Sequence, residues 1–360
     1  MTEARLPCAI LGASGYIGQH FARLLADHPW FEPPALVATE RSHGRTLADV
    51  WQLEEPPPEP LAGARLVTHT ASSLGRSGVR VAFSALPSGT AGALESELVR
   101  RGVSVFSNAA DHRMDPRVPL LVPEVNAAHL GLIRPRGVRR AFLVTNPNCS
   151  ATGLALALAP LREPLAPRRV HVATYQSLSG AGYPGVPSLS ITDNVVPFIR
   201  DEEEKIREET DRMFGRRRGR GVTPSRLPVL AHCVRVQTRE GHLEAVTVEA
   251  GRRPSLREVE TAWRSFDPLR RLSLPTAPHP PIELRREDDR PQPLRDRWAG
   301  HPQRARGMAA VVGRVRWTPP YLRFFVLSHN AVRGGAGASV LNAELAYSRG
   351  LLRGLGGRVP

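Results

Sequence analysis

A short apolar run that feeds into evenly spaced glycines constrains this chain more than any other feature. Residues 7–12 read as a buried strand and pass into Leu11-Gly12-Ala13-Ser14-Gly15-Tyr16-Ile17-Gly18, where a helical pattern begins and runs to Leu25. Gly12 permits a tight turn, Gly15 lets backbone amides approach a pyrophosphate, and Gly18 allows close helix packing. The phosphates then rest on the positive end of the helix. A glycine loop by itself is a weak signal. Placed at the start of a strand–helix alternation it predicts a dinucleotide site, with Gly12, Ser14, Gly15, Tyr16 and Ile17 nearest the phosphates.

The alternation continues. Strand-like runs at 35–38, 65–67, 79–84, 103–106 and 141–145, with a helical stretch at 92–101, predict a parallel, doubly wound α/β sheet of the Rossmann type. After a helix at about 151–161 the pattern changes to longer alternating strands at 170–176, 243–249, 308–316 and 322–328. Few helices separate them, so a second, α+β domain with a mixed, largely antiparallel sheet is expected. The predicted boundaries are 1–148 for the first domain, joined by a C-terminal helical segment within 333–360, and 149–332 for the second. The final helix is read from Gly337 to Leu355, 275–303 as irregular, and the Arg-rich run Gly215–Arg220 as a solvated loop.

The edge of the dinucleotide site follows the second strand. A free ribose diol calls for Asp or Glu there, whereas a 2′-phosphate calls for arginine and hydroxyls. Thr39, Arg41, Ser42 and Arg45 favour NADP, with Glu40 as the competing ribose ligand.

Three widely separated cysteines make no disulfide framework and suit a reducing cytoplasm. Cys149, in Asn146-Pro147-Asn148-Cys149-Ser150, falls between a strand and a helix, where the helix N-terminus favours a thiolate and its amides suit an oxyanion. Cys8 fits a core strand, and Cys233 has no assigned role. His242 opens a strand after Arg239-Glu240-Gly241, and Arg235, seven residues earlier, is read as lying on its partner strand. Glu202 and Lys205, three apart on a helix that runs to about Phe214, share a face.

The net charge of +15 suits small anionic substrates. With 6% aromatic residues and no interleaving of aromatic and basic positions, a nucleic-acid partner is not expected. Neither a membrane span nor a secretory leader is read, and no metal site is assigned. Lys205 is the single lysine beside a large excess of arginine. Either it survived by chance, or its position needs an ammonium rather than a guanidinium.

These motifs, in order and spacing, resemble the aspartate-semialdehyde dehydrogenases, in particular their archaeal and fungal-type branch. The resemblance spans nearly the whole chain. It includes the glycine loop, Ala85-Leu86-Pro87-Ser88, Asn108 to Met114, Pro123-Glu124-Val125-Asn126, the Cys149 motif, Tyr175-Gln176, Ser179 to Gly185, Asp193-Asn194, Glu202 to Lys205, Arg235 with His242, and Arg333 to Gly337.

It implies that Cys149 is the nucleophile, His242 the acid/base and Gln176 a residue that orients the thioester site. Arg235 would bind the substrate carboxylate, Glu202 its α-ammonium, and Arg113 and Lys205 phosphate, with Asn148 also at the substrate. Leu86, Pro87, Ser179, Gly180 and Asn330 would join the cofactor site. The implied activity is NADPH-dependent reductive dephosphorylation of L-aspartyl 4-phosphate through a cysteine thioester, in lysine, threonine, methionine and isoleucine biosynthesis. The second domain would carry catalysis and dimerisation, giving a homodimer or homotetramer. Malonyl-CoA reductase, which resembles the same branch, is the alternative.

Overall fold

The computed structural model describes residues 4–133 and 141–352. The chain divides into two compact units. One falls within Met1–Leu121, Ala128–Asn146 and Ala336–Pro360, and the other is Val122–Ala127 with Pro147–Gly335.

The first unit is built on five strands: β1 (Cys8–Leu11), β2 (Ala35–Val37), β3 (Val81–Ser84), β4 (Ser104–Ser107) and β5 (Leu143–Thr145). Their order is β2-β1-β3-β4-β5 and every pairing is parallel. β1, β3 and β4 are buried at every position, as expected of short apolar strands covered on both faces. The order reverses between β1 and its neighbours, and at such a switch point the carboxyl ends of the strands open a crevice for a ligand. Gly12 follows β1 there. Residues 65–67 do not form a strand of this sheet and make only isolated bridges to Val37 and Thr46. The last helix is Gly337–Ser348, shorter than the sequence suggested, and residues 353–355 of that reading lie outside the described residues.

The second unit carries β6 (Pro167–Gln176), β7 (Arg216–Arg218), β8 (Gly221–Thr223), β9 (Val229–Arg235), β10 (His242–Ala250), β11 (Ile282–Leu284), β12 (Ala310–Thr318) and β13 (Tyr321–Ser328). Six of them form a mixed sheet in the order β11-β12-β13-β10-β6-β9. The helix Cys149–Leu158 is apolar almost all round and almost wholly buried, and it packs against β10, β12 and β13. A bidentate pair between Arg333 and Glu124, at 2.9 and 2.6 Å, is also buried within this unit.

Two sequence expectations are corrected here. The Arg-rich run is not a loop: Arg216–Arg218 and Gly221–Thr223 pair as an antiparallel hairpin turning at Gly219. Arg235 and His242 are not on partner strands, because β6 lies between β9 and β10. A chain reversal shorter than ten residues looks like a hairpin locally, but the long strand laid down earlier inserts into it.

Candidate active site

In the first unit the glycine loop makes a cradle. Gly12 has φ +80°, and a Cβ there would stand 3.0 Å from the carbonyl oxygen of Ala85. A Cβ at Gly18 would stand 2.1 Å from the oxygen of Gly12, so only glycine lets the helix Tyr16–Leu25 approach the turn. That helix starts at Gly15 with no side-chain cap. Its first amides therefore have no side-chain acceptor of their own, which suits an anion at the helix end. The loop fits a dinucleotide.

Thr39 precedes a short exposed 3₁₀ turn, Glu40–Ser42, which holds Arg41 and Ser42 at the end of β2. Arg45 donates from Nη2 to the carbonyl of Asp49. Leu86 and Pro87 follow β3, on the same edge. Arg113, nearly buried, donates from Nη2 to the carbonyl of Asn108 at 2.7 Å.

In the second unit, sheet register assembles the chemistry. His242 pairs with Ser328 on β13, and Gln176 with Arg235 on β9. The Leu243–Tyr175 pairing places His242 and Gln176 side by side, so Ser328, His242, Gln176 and Arg235 form one buried row across four strands. Cys149 is the first residue of its helix, capped by Asn148 Oδ1, which accepts from the amides of Ser150 (2.9 Å) and Ala151 (3.1 Å). Gly334 lies against it, and a Cβ there would come within 2.5 Å of Cys149 Cβ.

Glu202 Oε1 accepts from Asn148 Nδ2 and from Gln176 Nε2, both at 2.9 Å. Glu209 Oε2 takes the backbone N–H of Asn148. Asn148 thus directs its side chain to the helix cap and to Glu202. Lys205, half-buried one turn after Asp201, stands 3.9 Å from that residue's carboxylate.

His242 is fully buried, and its Nδ1 accepts the backbone N–H of Ser177 at 3.1 Å. That bond leaves the hydrogen on Nε2, which has no partner among the described residues. Burial, and then the charge of Arg235, lower the imidazole to about 3, so the ring is neutral at neutral pH. Arg235 Nη1 donates to the carbonyl of Ser177 at 2.7 Å, and burial lowers its guanidinium. Gly180 sits over both side chains. Asn330 Oδ1 accepts from the backbone of Gly241 (2.9 Å) and its Nδ2 donates to Ser179 Oγ (2.9 Å), tying down the turn that presents His242. The sequence reading missed Ser177 and Glu209, whose bonds run to residues distant in the chain. Burial pushes the thiol of Cys233 up to about 12 and raises that of Cys8 as well.

Among the described residues no helix is long and apolar enough to cross a membrane. No cluster of potential metal ligands occurs among them.

Residues 7–133 match the family model described as semialdehyde dehydrogenase, NAD binding domain, and residues 158–333 the one described as semialdehyde dehydrogenase, dimerisation domain. An aspartate-semialdehyde dehydrogenase of Archaeoglobus fulgidus is 44% identical over 347 residues, covering 95% of this chain and 98% of the relative. A malonyl CoA reductase (NADP) of Metallosphaera sedula is 39% identical over 359 residues, covering 96% and 98%. The crystal structure of aspartate semialdehyde dehydrogenase with NADP from Candida albicans superimposes with a TM-score of 0.85 at 32% identity, covering 97% of this chain and all of that one.

Proposed function

This chain belongs to the aspartate-semialdehyde dehydrogenase family, and on that premise we propose that it reduces L-aspartyl 4-phosphate to L-aspartate 4-semialdehyde through a thioester on Cys149. The observation that carries this reading is the buried row of His242, Gln176 and Arg235 in the unit that presents Cys149 at a capped helix start. NADPH, when bound at the glycine cradle, supplies the hydride.

The thiolate of Cys149 attacks the acyl carbon, and the developing oxyanion needs fixed donors. His242 is built to donate, since Nδ1 is occupied and Nε2–H is not. Phosphate leaves, with Lys205 as its proposed ligand in this unit. At the second tetrahedral stage His242 Nε2–H again holds the oxygen, and collapse returns the thiolate. Arg235 takes the substrate carboxylate and Glu202 the ammonium. Gln176 is oriented for the acyl group by its bonds to Glu202 and Thr174.

The malonyl CoA reductase relative supports a second reading, in which a thioester substrate without an ammonium occupies the same row. A spectrophotometric assay separates them. NADPH formation from aspartate semialdehyde, phosphate and NADP is the expected result. NADPH consumption with malonyl-CoA alone would replace the first reading with the second.

NADP is expected to be used at least tenfold better than NAD, because Arg41 and Ser42, in the turn after β2, are the proposed ligands of a 2′-phosphate. Equal kcat/KM for the two would assign the ribose to Glu40 instead. Lys205→Arg is expected to raise the KM for phosphate about tenfold with little change in melting temperature, because a planar fork fits badly where a compact ammonium is needed. Unaltered phosphate dependence would make the single lysine an accident of composition.

We also propose that the first unit is the NADP-binding domain and the second the catalytic and dimerisation domain, assembled as a homodimer or homotetramer in the cytoplasm. The match to a dimerisation-domain model supports assembly, as do Tyr175, Leu230 and Tyr321 exposed on the large sheet. Three free thiols support a reducing compartment.

A further inference from the structure

Directly beneath the row that holds His242 lies a second one. Glu244 pairs with Val326 on β13 and with Thr174 on β6, and Thr174 pairs with Cys233 on β9. His242 and Glu244 are two residues apart on one strand and so point to the same buried face.

Glu244 is 1% exposed, and among the described residues neither of its carboxyl oxygens has a hydrogen-bond partner. Ser328 Oγ, nearby, has none either. The backbone of Gly153 presses on both. A Cβ there would stand 2.7 Å from Ser328 Oγ and 3.3 Å from Glu244 Oε1. Gly153 is one helical turn after Cys149, so this acid lies under the turn that presents the thiol.

A carboxylate buried without donors is too costly to persist, and it carries a proton instead. Two other buried carboxyls of this unit have the donors that Glu244 lacks: Glu202 takes two side-chain amides and Glu209 the backbone N–H of Asn148. Among the described residues, the charged and titratable groups tied to Glu244 are Glu202 on the helix Glu202–Met213 and Cys233 on β9, with His242 two residues away on its own strand and Arg235 at the end of β9 beyond Cys233; Cys149 stands one turn before Gly153, whose backbone approaches the acid. Arg235, the one cation among these, is bound to the carbonyl of Ser177. Burial, and then the charge of Glu202, push the Glu244 carboxyl well above its ordinary range.

We propose that Glu244 is a positioning residue that makes this site sensitive to alkaline pH: as a neutral acid it supports the turn that carries Cys149, and once ionised it weakens that support and holds back formation of the thiolate. The proposal rests on Cys149 as nucleophile but on no particular substrate.

A proton held more tightly in the folded state stabilises fully below the ordinary glutamate range. That contribution is lost as pH rises towards the raised value. Glu244→Gln keeps the shape and has no proton to lose.

The test is the rate of iodoacetamide labelling at Cys149, located by peptide mass, together with the melting temperature. Both are measured from acidic to alkaline pH for wild type, Glu244→Gln and Glu244→Met. The rate ratio of Glu244→Gln to wild type is expected to climb with pH, by up to about tenfold for each unit of difference in thiol pKa. The melting temperature of the variant is expected to gain on wild type by several degrees over the same range. A flat ratio and a flat difference would overturn the proposal. Should Glu244→Gln not fold, Glu244→Met must show the same two trends. If neither folds, Glu244 serves folding alone and the proposal fails. Neither readout involves substrate or cofactor, so failure here leaves the aspartyl phosphate reading to its own assay.

Discussion

Cys149→Ala is expected to lower kcat by roughly 10⁴-fold or more while NADP still binds, because removal of a nucleophile leaves no alternative covalent route. The cysteine stands first in a helix whose cap is made by Asn148 and held by Glu202 and Glu209. Alanine at this helix position preserves that cap, so the loss falls on chemistry rather than on folding. Neither other cysteine can substitute: Cys8 and Cys233 are buried, and burial raises both thiols. Initial rates from NADPH absorbance, with NADP affinity by calorimetry on the same protein, check the two halves of the claim. More than a hundredth of wild-type activity in the pure variant would remove the assignment.

His242→Ala is expected to cost roughly 10²–10⁴-fold in kcat, the usual contribution of a placed proton donor. The ring is held by the Ser177 amide on Nδ1 and offers Nε2–H, so it acts first as a donor to oxygen. His242→Gln, which keeps an N–H on a similar reach, is expected to recover part of the loss. Because burial and Arg235 hold the imidazole down at about 3, protonation of His242 does not produce an acid limb near neutrality. A kcat/KM profile with such a limb that vanishes in His242→Gln would contradict this account, as would an alanine variant within tenfold of wild type.

Much of this was legible in the chain because it is local. The strand, the three glycines and the following helix lie within one stretch, and the demand for glycine at 12 and 18 is steric. Cys149 was legible for the same reason, with its Asn cap one residue away. The row of His242, Gln176 and Arg235 was not legible from local pattern, because it depends on β6 inserting between β9 and β10. The resemblance named those residues but could not say that register aligns them. The hairpin Arg216–Thr223 was hidden because its residues are charged and mostly exposed, with no apolar alternation to announce a strand. Residues 65–67 look like a strand by composition, yet they reach the sheet edge only through single bridges. Glu244 was invisible for a related reason. Nothing in Leu243-Glu244-Ala245 tells which face is buried until the sheet exists.

The central claim is a thioester on Cys149, and mass spectrometry of the trapped enzyme tests it most directly. Wild-type protein is incubated with aspartate semialdehyde and NADP without phosphate, quenched in acid and digested. The account predicts an aspartyl adduct on the peptide that contains Cys149, discharged when phosphate is added before the quench. Phosphate-dependent turnover with no adduct on that peptide, or with the adduct on another residue, would contradict it.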